Sequence, residues 1–171
     1  MERLFSPWRH RYVTGASTSS PGCIFCEALK GGDNEPLIVA RGVHAFVILN
    51  LYPYNSGHLM VVPMRHVGRL ADLSREEIAE LGELTQRAER AITEVYAPHG
   101  LNVGVNIGKA AGAGVADHLH LHLVPRWAGD TNFMSVVGSV RVLPEEVPAS
   151  AERLRPVFER LAAEASGANQ V

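Results

Sequence analysis

Cysteine is nearly absent from this chain. Its 171 residues hold two, Cys23 and Cys26, too few for the disulfide framework that stabilises small secreted domains. No apolar run approaches the roughly 20 residues that a helix needs to cross a bilayer, because Pro, Gly, Asn and His interrupt every candidate. The opening "MERLFSPWRHRYV" lacks the uninterrupted apolar centre of a secretory leader. An excess of one charge is missing too. The 16 Lys and Arg face 18 Asp and Glu, for a formal net charge of -2, so no cationic field exists to grip nucleic acid through many phosphates. The expectation is a cytoplasmic protein with neither nucleic acid nor a membrane as partner. In a reducing compartment, a Cys-x-x-Cys pair points to metal binding or redox chemistry rather than to a structural disulfide.

Hydrophobic residues make up 46% of the chain, enough for one domain with a sizeable core. Residues 1–21 end in "TGASTSSPG" and read as an irregular N-terminal segment. "VHAFVILN" (43–50) and "GHLMVVP" (57–63) are β-rich runs, separated by turn residues Pro53, Asn55 and Ser56. Ser74 and Glu77 form a capping-box pattern. Ile78, Leu81, Leu84, Ala88, Ala91, Ile92 and Val95 follow at helical spacing, which predicts one amphipathic helix over 75–96. "LNVGVNIG" alternates as a strand, "GKAAGAGVAD" is a glycine-rich connection, and "DHLHLHLVPRW" alternates again. Leu154, Val157, Phe158 and Leu161 suggest a C-terminal helix, which Pro156 would interrupt unless the helix begins close to that residue, so its start is left open. The expected class is α+β: an antiparallel sheet with a long packed helix, a C-terminal helix, and the histidine row at the sheet's edge.

His118, His120 and His122 alternate with Leu119, Leu121 and Leu123. On a strand the leucines share one face and the histidines the other. One metal held by all three is geometrically poor, because Cα atoms four residues apart on a strand are separated by about 13 Å, near the limit of two reaching imidazoles. Two of them can share an ion, and a histidine-rich face without chemistry is the bland alternative. The nucleophilic reading uses neutral imidazole: one nitrogen attacks phosphorus while an acceptor holds the other N–H and fixes the tautomer. Flanking histidines can donate protons, and glycine N–H groups can approach an anion closely. His120, with help on both sides, is the expected nucleophile.

"HLHLHLV" follows the pattern of alternating histidines and apolar residues that marks the histidine triad (HIT) family, and the chain resembles that family over about residues 22–135. The likeness extends through "VILNLYPYNSGHLMVVPMRHVGRLADL" and "LNVGVNIGKAAGAGVADHLHLHLVPRW". It implies a single HIT-like catalytic domain over 22–171, working as a homodimer. It further implies that His120 attacks the α-phosphate of a nucleotide and forms a nucleotidyl-histidine intermediate, with His118 and His122 as partners and His58 behind the site. Asn50 falls where the family contacts ribose hydroxyls. Asn106, Gly112 and Gly114 fall where it holds phosphate, with backbone N–H groups standing in for the Gln or Ser that many members carry before the triad. Lys109 and Arg126 are candidates for added positive charge.

"PRWAGDTNF" and, more weakly, "PWRHRY" resemble the branch acting on diadenosine tetraphosphate, the actinobacterial phosphorylases, in which inorganic phosphate accepts the adenylyl group to give ADP and ATP. Trp127, Asp130 and Asn132 are then candidates to shape the far end of the site. The resemblance also implies a structural zinc on Cys23, Cys26, His66 and His118, with no organic cofactor; a zinc-bound His118 passes the acid role to His122, substrate or solvent. His10, His44 and His99 fit no constellation. Three rivals stand beside this reading: a HIT hydrolase of dinucleoside polyphosphates or nucleoside phosphoramidates, a zinc-dependent hydrolase using two of the histidines, and a noncatalytic nucleotide-binding module.

Overall fold

Two short runs, "AFVIL" and "LMVVP", are buried along their whole length and form the centre of the molecule. A strand covered on both faces reads as a continuous apolar run rather than an alternating one. The computed structural model describes residues 22–130 and 145–168; the expected irregular segment 1–21, with His10, and Asn132 lie outside the described residues. The five strands are β1 (Ile38–Arg41), β2 (Ala45–Leu49), β3 (Leu59–Pro63), β4 (Gly100–Val105) and β5 (Leu121–Arg126). They form one antiparallel sheet in the order β1-β2-β3-β5-β4. Helix α1 (Ile24–Leu29) precedes the sheet, α2 (Arg75–Tyr96) joins β3 to β4, and α3 (Val147–Ala168) follows β5. The fold is α+β. Among the described residues no helix is long and apolar enough to cross a membrane.

Helix α2 has the bounds that its apolar spacing predicts, 75–96. The Ser74 side chain accepts from the Glu77 N–H, and the Glu77 carboxylate returns a bond to the Ser74 N–H, which satisfies two donors that a helix start leaves open. Leu81, Leu84, Ala88, Ala91 and Ile92 are buried, whereas Ile78, expected on the same stripe, faces solvent. From the buried side α2 packs on β2, β3 and β5. On the adjoining turn Glu80 accepts the backbone N–H groups of Val43, His44 and Ala45, so helix and β1–β2 corner are tied directly. Gly42 belongs to that corner because a Cβ there would lie 2.6 Å from the Glu80 carboxylate.

Two expectations are corrected, and a helix start left open by the sequence is fixed. The histidine row is not a strand throughout: β5 begins at Leu121, so His118 and His120 precede the ladder and only His122 lies in it. Pro63, which ends β3, has no N–H to continue the pairing, and the Leu119 N–H bonds instead to the Val67 carbonyl at 2.6 Å. Nor is the row at the edge of the sheet, since β5 lies between β3 and β4 and the edge strand is β4. Helix α3, finally, starts at Val147 and keeps Pro156 in its interior. Pro148, at its second position, occupies a first-turn site whose N–H has no intrahelical partner, and Ala151, Leu154, Phe158 and Leu161 bury one stripe against α2 and β1. Strand β1 was not anticipated: "IVAR" has only four residues, at the short end for a strand, although Gly32, Asn34, Pro36 and Gly42 flank it.

Glu77 also receives two bonds from the Arg65 guanidinium, at 2.9 and 2.7 Å. Arg65 foremost, and then the Ser74 N–H, hold its carboxyl down at about 2, against an ordinary value of 4.5. A carboxyl depressed in the folded state contributes stability above its unfolded value and loses it as pH falls toward the folded one. Thermal melts of Glu77→Gln should therefore sit below those of the parent at neutral pH and converge with them between pH 4.5 and 2. A constant gap over that range would contradict this account.

Candidate active site

The imidazole of His120 is 5% exposed, and its Nδ1 lies 2.8 Å from the carbonyl oxygen of His118. A carbonyl can only accept, so Nδ1 carries the proton and the lone pair resides on Nε2. Burial pushes the ring below the usual imidazole range. His120 is thus a neutral imidazole in a fixed tautomer.

A second chain of bonds fixes His122. The Tyr54 N–H donates to Nδ1 of His58 at 3.1 Å, and Nε2 of His58 lies 2.9 Å from Nδ1 of His122. A backbone donor at Nδ1 leaves the His58 proton on Nε2, which donates to His122 Nδ1; the proton of neutral His122 must then reside on its Nε2. The two rings thus present opposite states of the same atom: a lone pair on Nε2 of His120, a proton on Nε2 of His122. Their rings meet edge to face at 4.9 Å. Phe25 of α1 packs against the rings of His118 and His120 at 5.3 and 5.2 Å, and Tyr54 lies over His58 at 4.7 Å.

His118 is turned away from this pair. Its Nε2–H donates to the Pro63 carbonyl at 2.9 Å, and its Nδ1 faces Cys23 Sγ at 3.3 Å and Cys26 Sγ at 3.6 Å. His66 Nδ1 lies 3.4 Å from Cys26 Sγ, and the four ligand atoms all fall within 4.8 Å of one another. A tetrahedral ion with the usual Zn–S and Zn–N bond lengths separates sulfur from nitrogen by about 3.6 Å, so this donor set fits zinc. The bond from His118 Nε2–H to Pro63 supplies the outer acceptor that typically orients a metal-binding imidazole. Burial and then the neighbouring Cys23 thiol push the Cys26 thiol up, an effect that a bound divalent cation reverses. This group includes His118 but neither His120 nor His122.

The remaining candidates fall into two sets. Asn106 follows Val105, which pairs with Leu121, so one further step of register puts it opposite His120. Gly112 is in the left-handed region at φ 93° and Gly114 is exposed, both in the connection from β4 back to the histidine row. Asn50 is partly committed within its own loop, where Oδ1 accepts from the Tyr52 N–H at 3.0 Å and Nδ2 lies 3.4 Å from His58 Nδ1. Arg126 stands six residues beyond His120, about 20 Å along a strand, and its guanidinium is held by Asp130 and Asn102. It closes the far end of β5 rather than charging the histidine site. Asp130 also accepts from Asn55, and His99 Nδ1 accepts from the Ala128 N–H, giving both residues structural work there. Sequence reasoning missed Tyr54, Pro63 and Phe25. Pro63 acts through its backbone, Phe25 through ring packing and Tyr54 through both, none of which leaves a motif.

A comparison with protein families matches the HIT domain to residues 32–129. The chain is 48% identical over 152 residues, 85% of its length, to the AP-4-A phosphorylase of Mycobacterium tuberculosis, of which it covers 78%. It is 30% identical over 132 residues, 77% of its length, to an adenosine 5'-monophosphoramidase of Schizosaccharomyces pombe, of which it covers 95%. Among solved structures, a Zn-bound histidine triad family protein from Mycobacterium smegmatis superposes with a TM-score of 0.68 at 31% identity, over 85% of this chain and 99% of that one.

Cobalt(II) reports on the four-donor group directly. Titrating it into the reduced chain should yield one equivalent bound with the intense visible absorption of a tetrahedral thiolate–imidazole site, displaced by zinc. The absorption should weaken in Cys26→Ser and His66→Ala. Octahedral spectra, or equal binding by those variants, would show that the four residues do not act as one site.

Proposed function

The chain belongs to the HIT domain family, and from that premise we propose that it cleaves diadenosine 5',5'''-P1,P4-tetraphosphate by phosphorolysis to ADP and ATP. Nε2 of His120 attacks the α-phosphorus, the bond to the bridging oxygen breaks, and ATP leaves. The resulting adenylyl-imidazolium carries its charge next to the His118 carbonyl. His122 Nε2–H is the donor for the departing oxygen, kept in that tautomer by His58. An oxygen of inorganic phosphate then attacks the adenylyl phosphorus, the P–N bond breaks, and ADP is released. The observation that carries this reading is the 2.8 Å bond from His120 Nδ1 to the His118 carbonyl, which leaves a neutral nitrogen with its lone pair available for attack. Phosphate as acceptor rests on the 48% identity to the AP-4-A phosphorylase.

Asn106 with the Gly112 and Gly114 backbone is assigned to the phosphates and Asn50 to the ribose. His118 is assigned to the zinc and, through its carbonyl, to His120, and not to proton donation. When bound, the zinc on Cys23, Cys26, His66 and His118 ties α1 and the segment after β3 to the start of β5. No organic cofactor is assigned. Residues 22–171 form the catalytic unit, and a homodimer is part of the same reading, supported by the edge position of β4 and its half-exposed Val103. A cytoplasmic location is supported by the two free thiols. A hydrolase using the same intermediate is the second reading, supported by the likeness to the phosphoramidase.

Product analysis decides between them. With diadenosine tetraphosphate and phosphate, ADP and ATP should form in equal amounts, and without phosphate turnover should stop after one adenylylation. AMP accumulating regardless of phosphate would identify the hydrolase. His120→Ala should abolish the adduct and lower turnover by several orders of magnitude; a fully active variant would refute covalent catalysis.

A further inference from the structure

Helix α3 and Glu145, two residues before it, lie beyond the stretch matched by the HIT domain, yet Glu145 bonds to Tyr96 at the end of α2. We infer that Tyr96, locked in place by Glu145 at the foot of α3, is a positioning residue for His58 and hence for the proton on His122. The inference rests on the proposed role of His122 as hydrogen-bond donor to the departing oxygen.

Tyr96 is the last residue of α2, and the chain turns there with Ala97 in the left-handed region at φ 43°. Its ring lies against Gly57, where an added Cβ would fall 2.6 Å from Cε2 and 2.9 Å from Cδ2. Gly57 itself has φ 75°, so both its conformation and its contact with Tyr96 require glycine. It immediately precedes His58, whose Nε2 must stay within bonding distance of His122.

The other end of Tyr96 is fixed by a compact polar knot. Its phenol donates to Glu145 at 2.8 Å, and the same carboxylate accepts from Ser150 Oγ at 2.9 Å and Arg153 Nη1 at 2.8 Å. Arg153 also donates to the Val95 carbonyl at 2.8 Å and lies over the Tyr96 ring at 4.7 Å. Burial first, with Glu145 assisting, pushes the phenol up to about 12, so it remains a donor at any working pH. The loop carrying His58 is thereby gripped on both sides. Asn55 bonds to Pro125 and Asp130 on one, and Tyr96 bears on Gly57 on the other. A slip of Gly57 lengthens the His58–His122 bond, after which neutral His122 is no longer held with its proton on Nε2.

A donor matters most when the leaving group is poor, which gives a readout that general destabilisation does not imitate. The p-nitrophenyl and phenyl esters of AMP differ in leaving-group basicity while sharing the adenylyl part. In Tyr96→Phe and Glu145→Ala, kcat/KM for the phenyl ester should fall about tenfold, through kcat, while the p-nitrophenyl ester changes less than about twofold. Nitrogen NMR shifts of His58 and His122 should move in both variants from a single Nε2–H tautomer to a mixture. Tyr96→Phe, which keeps the ring and removes one bond, carries the test if Glu145→Ala melts below the assay temperature. Equal losses on both esters with unmoved nitrogen shifts, or no loss on either, would overturn the positioning role. Failure of the parent protein to form an adduct on His120 with either ester would instead defeat the proposed function, and this inference with it.

Discussion

One residue, His118, faces two ways, and the site depends on both. Its ring is held between the Pro63 carbonyl and the two thiols, while its own carbonyl holds the proton of His120. A side chain that is 0% exposed with each nitrogen engaged has little freedom to rotate, and so its carbonyl is a fixed acceptor. Burying three imidazoles is costly unless every polar nitrogen finds a partner or a purpose. Here the partners are backbone carbonyls, a backbone N–H, thiols and one another, and the tautomers follow from that network.

The sheet provides the rigidity on which this network relies. β2 and β3 are buried throughout, and β3 pairs with β5 through Leu59–Leu123, Met60–His122 and Val61–Leu121. Leu123 is 0% exposed, so a one-residue slip would move a leucine out of the core and a histidine into it. That penalty sets the register of His122. At Pro63 the ladder ends, and the freed carbonyl becomes the acceptor for His118. The backbone of β3 thus serves packing along most of its length and chemistry at its last residue.

At the opposite end of β5 the polar groups have a different task. Arg126, Asp130, Asn55 and Asn102 bond among themselves, with Arg126 foremost holding the Asp130 carboxyl well below the usual range. Through Asn55 this cluster anchors the loop between β2 and β3, whose other end is His58. The Arg126 charge is therefore engaged by Asp130 and Asn102, in a cluster that holds a loop.

Much was legible without coordinates. Helical spacing with a capping box delimited α2, alternation located the strands around the histidines, and the triad with its C-x-x-C partner named the residues that the fold brings together. Those signals are local: propensity, period and motif spacing are written in consecutive residues. What the sequence left open depends on residues far apart in the chain. Where β5 begins is decided by Pro63 on a neighbouring strand, α3 tolerates an interior proline because its buried stripe packs against α2 and β1, and Ile78 is outside because the sheet meets a different arc of its helix. The tautomers of His120 and His122 are set by a carbonyl and by a backbone N–H that no side-chain code reveals. A motif can therefore supply an imidazole, but which of its nitrogens bears the proton is decided only when the folded backbone is brought against it.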